Sequence, residues 1–115
     1  MRVLRESTTP SEEERNLLIK CRDTIKDIDP SAEVILYGSR ARGDAEPESD
    51  YDLLILTDID VTLGREDFIC RKLYPIELET GKVITTFVYN RRQWDTPLYR
   101  AMPFHKNIER DGVII

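Results

Sequence analysis

Two aspartates separated by one residue are the clearest candidates for chemistry in this chain. Asp50 and Asp52 flank Tyr51 at the start of a segment, residues 50–56, whose apolar composition predicts a β-strand. Alternate residues of a strand point to the same face, so the two carboxylates are expected to lie side by side. Neighbouring carboxylates repel each other unless a cation lies between them, and Mg²⁺ is commonly held by one or two carboxylates together with substrate phosphates. The pair is therefore predicted to bind magnesium.

A second motif, Gly38-Ser39, precedes the aspartates by a polar stretch. It follows Glu33–Tyr37, an apolar segment that predicts a buried strand, and it opens a predicted helical turn and loop. Glycine lets the backbone approach a phosphate closely, and the free N–H groups at the start of a helical turn favour negative charge. A phosphate-binding turn beside a carboxylate pair suits metal-assisted phosphoryl or nucleotidyl transfer. Each motif alone is also compatible with an ordinary turn or a solvated strand face.

Hydrophobic periodicity and turn residues predict the elements that position these motifs. The expected helices cover residues 11–27 and 62–80, the second kinked or interrupted near Pro75, and further helical segments follow Asn90 up to Gly112. The expected strands cover residues 33–37, 50–56 and 82–89, with 113–115 pairing as a short edge strand and 1–10 forming a loose or weakly paired leader. This order predicts a single α/β (α+β) domain over residues 1–115, with a small mixed sheet flanked by helices.

Composition excludes several classes of function. The net charge of −5 gives no electrostatic basis for general nucleic-acid binding, and Arg40 with Arg42 and the pair Arg91–Arg92 are the only local basic clusters. Two isolated cysteines, both on predicted helices among apolar neighbours, suggest reduced thiols rather than a zinc site. The polar N-terminal segment does not resemble a signal peptide, and no apolar run is long enough to span a membrane. A cytoplasmic protein is expected.

The central segment closely resembles the signature of the DNA polymerase β nucleotidyltransferase superfamily. That signature is an apolar strand, Gly-Ser, an intervening stretch and then Asp-h-Asp-h on the next strand, where h is hydrophobic. Here it is Val34–Gly43 followed by Ser49–Ile55. The Gly-Ser-x-Ala-x-Gly extension is typical of the small stand-alone members called minimal nucleotidyltransferases. The tail resembles them too, so the likeness covers most of residues 33–115.

The resemblance implies roles for individual residues. Gly38 and Ser39 would contact the triphosphate of ATP or another nucleoside triphosphate, and Asp50 and Asp52 would ligate two Mg²⁺ ions. We infer further phosphate contacts for Arg40 and Arg42, because guanidinium groups suit phosphate geometry. These six residues form the predicted site.

One position departs from the family. Active members usually carry a third carboxylate on the following strand, but Lys82–Tyr89 contains neither Asp nor Glu. Thr85 or Thr86 is expected to face the site instead, and Glu77 and Glu79 are alternative sources of a carboxylate. Catalysis is therefore less strongly indicated than nucleotide and metal binding.

Two hypotheses follow. The first is an enzyme that transfers a nucleoside monophosphate, AMP from ATP, to an acceptor hydroxyl supplied by a partner protein, a second copy of the chain or a macromolecular substrate. The second is a non-catalytic or weakly active module, either a nucleotide sensor or an antitoxin paired with a helical HEPN-type toxin. Outside the site, His105 is expected at the surface or a helix end. Trp94, Tyr89 and Phe104 are expected to pack rather than to stack on a nucleobase.

Overall fold

A five-stranded mixed sheet forms the centre of the computed structural model, which describes residues 1–4 and 10–115. The strands, in sequence order, are β1 (Arg2–Val3), β2 (Glu33–Tyr37), β3 (Tyr51–Thr57), β4 (Ile84–Asn90) and β5 (Val113–Ile114). Their order across the sheet is β1-β5-β2-β3-β4. β2 is antiparallel to both β3 and β5, whereas β3 with β4 and β1 with β5 are parallel. The predicted fold class is confirmed.

Six helices connect these strands within the described part of the chain. They are α1 (Glu12–Ile28), α2 (Gly38–Arg42), α3 (Leu63–Thr80), α4 (Arg91–Trp94), α5 (Pro97–Arg100) and α6 (Pro103–Asp111). Ser11 caps α1 by accepting a hydrogen bond from the Glu14 N–H, and Thr62 caps α3 in the same way. Pro97 and Pro103 occupy the first turns of α5 and α6, where the missing N–H has no helical partner to lose.

Side-chain alternation along β3 assigns these helices to opposite faces of the sheet. Leu53 and Ile55 pack in the core formed with α1 and α3, whereas Leu54 and Leu56 pack with Trp94 and α6. Asp52 lies two residues before Leu54, and Asp50 lies two residues before Asp52, so their side chains point to the same face as that of Leu54. Both aspartates therefore belong to the α4–α6 face of the sheet.

Three expectations about the elements need correction. α3 continues from Leu63 to Thr80 with Pro75 inside it, so the proline does not interrupt the helix, and Leu73 and Ile76 on either side of it are buried in the core. β5 is not an edge strand, because Arg2–Val3 pairs outside it. That pairing also orders the start of the predicted loose leader, whose residues 5–9 lie outside the described part of the chain.

Candidate functional site

Asp52 lies on β3, which runs between β2 and β4 in the sheet. Its register partners are Tyr37 on β2 and Thr85 on β4. Asp50, just before β3, is exposed, and its Oδ2 accepts a hydrogen bond of 3.3 Å from the Thr85 hydroxyl. Asp52 is half-buried. The structure thus brings the two predicted metal ligands together on one face, with a hydroxyl beside them.

The electrostatics of the pair match a cation site. Burial, followed by the negative charge of Asp50, raises the pKa of Asp52, and the positive charge of Arg42 only partly opposes this. Burial is the larger cause of this rise in the pKa of Asp52, and the charge of Asp50 adds to it because neighbouring ionised carboxylates repel each other. Oxygen donors arranged in this way fit Mg²⁺, which relieves that repulsion. Within residues 1–4 and 10–115, no group of three or more His, Cys, Asp or Glu side chains has a metal-binding arrangement.

Gly38 brings the turn at the start of α2 against Asp52. Its φ of +74° is in the left-handed region, and a Cβ at this position would collide with Oδ2 of Asp52. Ser39 follows directly, and its backbone oxygen accepts the N–H groups of Gly43 and Asp44 at the other end of this short helix. The contact between Gly38 and Asp52 places the Gly-Ser turn and the carboxylate pair in one site.

The two arginines of α2 point to different places. Arg42 lies close enough to Asp52 to lower its pKa, and its Nε donates to Asp44 at 3.2 Å. Arg40 is 9% exposed and lies 4.4 Å from the ring centroid of Tyr51, on the opposite face of β3. The charge of Arg42 acts on Asp52 although its hydrogen bond goes to Asp44, whereas the guanidinium of Arg40 lies on the other face of the sheet.

Arg40 instead organises the loop that leads to Asp50. Its Nη2 donates to the backbone oxygens of Pro47 and Ser49, at 3.0 and 2.8 Å, and its Nε donates to Ser49 as well. A buried guanidinium bound to backbone carbonyls positions a loop rather than meeting a phosphate. Local spacing gave Arg40 and Arg42 the same expectation, and only the packing of α2 separates them.

Tyr37 is a residue of this site that the sequence reasoning missed. Burial, then the negative charge of Asp52 and then Tyr89, raise the pKa of Tyr37 to about 12. Its ring packs edge-on against Phe104 with centroids 5.3 Å apart. Its position immediately before Gly38 was a usable signal, since antiparallel pairing of the two predicted strands sets their motif ends side by side.

Among residues 1–4 and 10–115, no carboxylate takes the place of the third one that the resemblance led us to expect. Thr85 faces the aspartates, whereas Thr86 lies on the α3 side, with its hydroxyl 3.7 Å from the Cys70 sulfur. Glu77 accepts the backbone N–H of Ile84 at 3.0 Å, and Glu79 pairs with Lys20 at 2.9 Å. Both glutamates are therefore engaged away from the site.

Expectations outside the site had mixed outcomes. His105 lies near the start of α6, which agrees with the helix-end alternative, but it is buried rather than at the surface, with its ring stacked on Trp94 at a centroid distance of 4.3 Å. Trp94 packs in the core as expected. Cys21 is buried, and burial followed by the charge of Glu77 raises its thiol pKa to about 12, whereas Cys70 is exposed on α3. Among the helices of residues 1–4 and 10–115, none has the length and apolar character needed to cross a membrane.

Comparison with known proteins identifies the family to which this chain belongs. A model of the nucleotidyltransferase domain family matches residues 18–100, a span that contains the Gly38-Ser39 turn, both aspartates and Thr85. The chain therefore belongs to the nucleotidyltransferase domain family. The predicted family is confirmed, as a minimal nucleotidyltransferase.

A particular relative comes from the archaeon Methanocaldococcus jannaschii and is named "putative protein adenylyltransferase". It is 34% identical to this chain over 82 residues, which are 71% of this chain and 75% of the relative. The likeness thus extends over most of both proteins.

Proposed function

We propose that this protein transfers a nucleoside monophosphate from a nucleoside triphosphate to an acceptor hydroxyl. ATP is the proposed donor, and Mg²⁺ is the proposed metal ion. The observation that carries the proposal is the Asp50–Asp52 pair on one strand face, with the Gly38 turn packed against Asp52. The family match supports the reaction class. The relative's printed name supports AMP as the transferred group and a protein as the acceptor.

Each residue has a distinct task in this proposal. Asp50 and Asp52 would hold the metal, which when bound neutralises phosphate charge and makes the α-phosphorus more electrophilic. The Thr85 hydroxyl holds Oδ2 of Asp50 in place. The backbone N–H groups and hydroxyl of Gly38-Ser39 would bind phosphate oxygens, and Arg42 would add positive charge at the same edge. Arg40 is not assigned a phosphate contact, because loop carbonyls already use its donors.

The experiment incubates the protein, Asp50→Asn and Asp52→Asn with Mg²⁺, ATP labelled at the α-phosphate and a mixture of peptides with Ser, Thr and Tyr hydroxyls as acceptors, and it follows label transfer to the peptides together with pyrophosphate release. Asp23→Asn is the matched control, since it removes the same charge from an exposed site on α1. We expect ATP–Mg²⁺ to raise the melting temperature of the protein and of the control, and each site variant to lose most of this rise. Pyrophosphate release should fall by roughly 10³-fold, as expected when several kcal/mol of metal-dependent stabilisation is removed. Equal behaviour of the site variants and the control would refute the proposal.

A second candidate is nucleotide binding without turnover, and the specific observation that favours it is Thr85. The neutral hydroxyl of Thr85 lies beside the aspartates on the strand where the resemblance to the polymerase β superfamily led us to expect a carboxylate. Thr85→Asp separates the two candidates, with Thr85→Asn as a neutral control of the same shape. If the protein only binds nucleotide, pyrophosphate release should be absent until Thr85→Asp introduces it. If the protein is an enzyme, release should be measurable before any substitution. Pairing with a helical HEPN-type protein and assembly with a second copy both remain predictions.

A further inference from the structure

The outer edge of β4 has peptide groups without partners. β4 is the last strand of the sheet. The Tyr51 N–H donates a hydrogen bond of 2.9 Å to the oxygen of Val83, so the backbone groups of Val83, just before β4, face β3. Successive residues of a strand direct their backbone N–H and C=O groups to opposite sides, so the groups of Thr86 and Val88 face away from β3. The backbone groups of Ile84 also face away from β3, but its N–H donates a hydrogen bond to the carboxylate of Glu77. Within residues 1–4 and 10–115, no hydrogen bond reaches the backbone N–H or oxygen of Thr86 or Val88. We call these two residues the open edge.

The composition of β4 does not protect this edge. Natural edge strands are usually blunted by charged residues, prolines or bulges, because an unpaired edge invites another strand. The strand Ile84–Asn90 contains no charged residue and no proline. Phe87, within the strand, is 49% exposed, and Val83, just before it, is 54% exposed. An extended polypeptide on the open edge would therefore gain main-chain hydrogen bonds and apolar contacts together.

The open edge lies next to the aspartates. Thr85 is the register partner of Asp52, and Phe87 is the partner of Leu54, so both side chains lie on the α4–α6 face of the sheet. Neighbouring strands are about 4.8 Å apart, which puts an added strand about 10 Å from β3. Alternate side chains of that strand would project beside Thr85 and Phe87, towards the site.

We propose that the open edge binds an extended segment of the acceptor protein as a sixth strand, which presents its hydroxyl side chain to the Asp50–Asp52 site. This inference rests on the proposed function and names its acceptor as an unfolded or strand-forming peptide segment. Recognition comes mainly from the backbone groups of Thr86 and Val88, with Phe87 favouring an apolar side chain near the acceptor residue. The alternative occupant, the β4 edge of a second copy, is an outcome of the test below.

The test uses a library of nine-residue peptides, each with a central Ser, Thr or Tyr and random flanks, and ATP labelled at the α-phosphate with Mg²⁺. Thr86→Pro removes one outward N–H and leaves the ladder to β3 intact, because that N–H does not face β3. Thr86→Ala is the matched control, since it loses the same hydroxyl and keeps the N–H. We expect Thr86→Pro to raise KM for the best peptide about tenfold, the effect of losing one main-chain hydrogen bond and its neighbours, with Thr86→Ala unchanged. Stabilisation by ATP–Mg²⁺ should be the same in both variants.

Modified peptides keep the test decisive if Thr86→Pro folds poorly. On the unmodified protein, methylation of the backbone nitrogens at one set of alternate residues should abolish labelling, and methylation of the other set should not. The proposal is overturned if both sets are equally tolerated, or if no peptide is labelled although ATP–Mg²⁺ binds. It is also overturned if Thr86→Pro converts a dimer to a monomer while labelling persists, because a second copy then occupies the edge. Failure of ATP–Mg²⁺ to stabilise the unmodified protein would refute the proposed function itself, and this inference with it.

Discussion

A carboxylate lies near each end of β3, and the two carboxylates differ in their hydrogen bonds and in the direction of their pKa shifts. At the far end, Asp29 is 2% exposed and accepts hydrogen bonds from Thr57 and from the Ser31 N–H and hydroxyl. The Arg65 guanidinium lies 3.9 Å away. Burial alone would raise the pKa of Asp29, but these hydrogen bonds outweigh it and hold the pKa below its usual value.

At the near end, Asp52 has the opposite character. Burial and the charge of Asp50 raise its pKa, and the charge of Arg42 only partly opposes them; within the described part of the chain, the carboxylate of Asp52 has no hydrogen-bond donors like those of Asp29. A carboxylate that is already satisfied stabilises the fold, whereas one left in repulsion is available to an incoming cation. The Asp29 end therefore contributes hydrogen bonds to the fold, whereas the Asp50–Asp52 end has the repulsion that the proposed metal binding would relieve.

The largest expected effect comes from breaking the satisfied end. Asp29→Ala leaves the buried Thr57 hydroxyl and the Ser31 groups without their acceptor, so the free energy of unfolding should fall by about 2–3 kcal/mol. Urea denaturation measures this, with Asp23→Ala on the exposed surface of α1 as the control, for which about 0.5 kcal/mol or less is expected. Pyrophosphate release per folded molecule should be unchanged. A stable Asp29→Ala protein with an impaired site would reverse the roles assigned to the two ends.

An intermediate effect is expected at the turn that contacts Asp52. Gly38→Ala and Gly81→Ala impose similar backbone strain, because the φ angles are +74° and +70°, but only at Gly38 does the added Cβ collide with Asp52. Each substitution should cost about 1 kcal/mol of stability. Only Gly38→Ala should also weaken binding of ATP–Mg²⁺, by roughly tenfold or more, as expected when a ligand carboxylate is displaced. Isothermal titration calorimetry checks this, and equal affinities in the two variants would exclude a role for the Gly38 contact.

The smallest effect is a difference in pH dependence. Asp52 has a raised pKa in the folded state, so its contribution to stability is greatest below the unfolded pKa and is lost as pH rises through the folded pKa. Asp29 has a lowered pKa, so its contribution is present above the unfolded pKa and is lost as pH falls through the folded pKa. Asp50→Asn should therefore lower the pKa of Asp52. It should also raise the stability of the metal-free protein at neutral pH by at most about 1 kcal/mol, the scale of exposed charge pairs.

Carboxyl NMR titration of Asp52, together with melting temperatures measured at neutral pH and below pH 3, checks this prediction. Asp23→Asn should change neither the pKa of Asp52 nor the dependence of stability on pH. An unchanged pKa of Asp52 in Asp50→Asn would mean that burial alone causes its shift, and that the carboxylate pair is not electrostatically coupled.

The fold was predictable to the extent that its signals are local. Ser11 and Thr62 lie at the starts of the two long helices, and Gly81 ends the second, because capping and left-handed turns depend on a few adjacent residues. The strand that Val113–Ile114 forms was predicted, but its position inside the sheet was not. That position depends on pairing with Arg2–Val3 at the other end of the chain.

The candidate site likewise combines features that depend on adjacent residues with features that depend on pairing between distant segments. That Asp50 and Asp52 share a face and that a glycine turn precedes them followed from the sequence alone, because strand alternation and the conformational freedom of glycine are properties of neighbouring residues. The packing of α2 separates its two arginines, so that the charge of Arg42 acts on Asp52 while Arg40 holds the loop that leads to Asp50. Tertiary structure likewise places Thr85 and Tyr37 on either side of Asp52, since strand register and helix orientation are set by packing between segments far apart in the sequence.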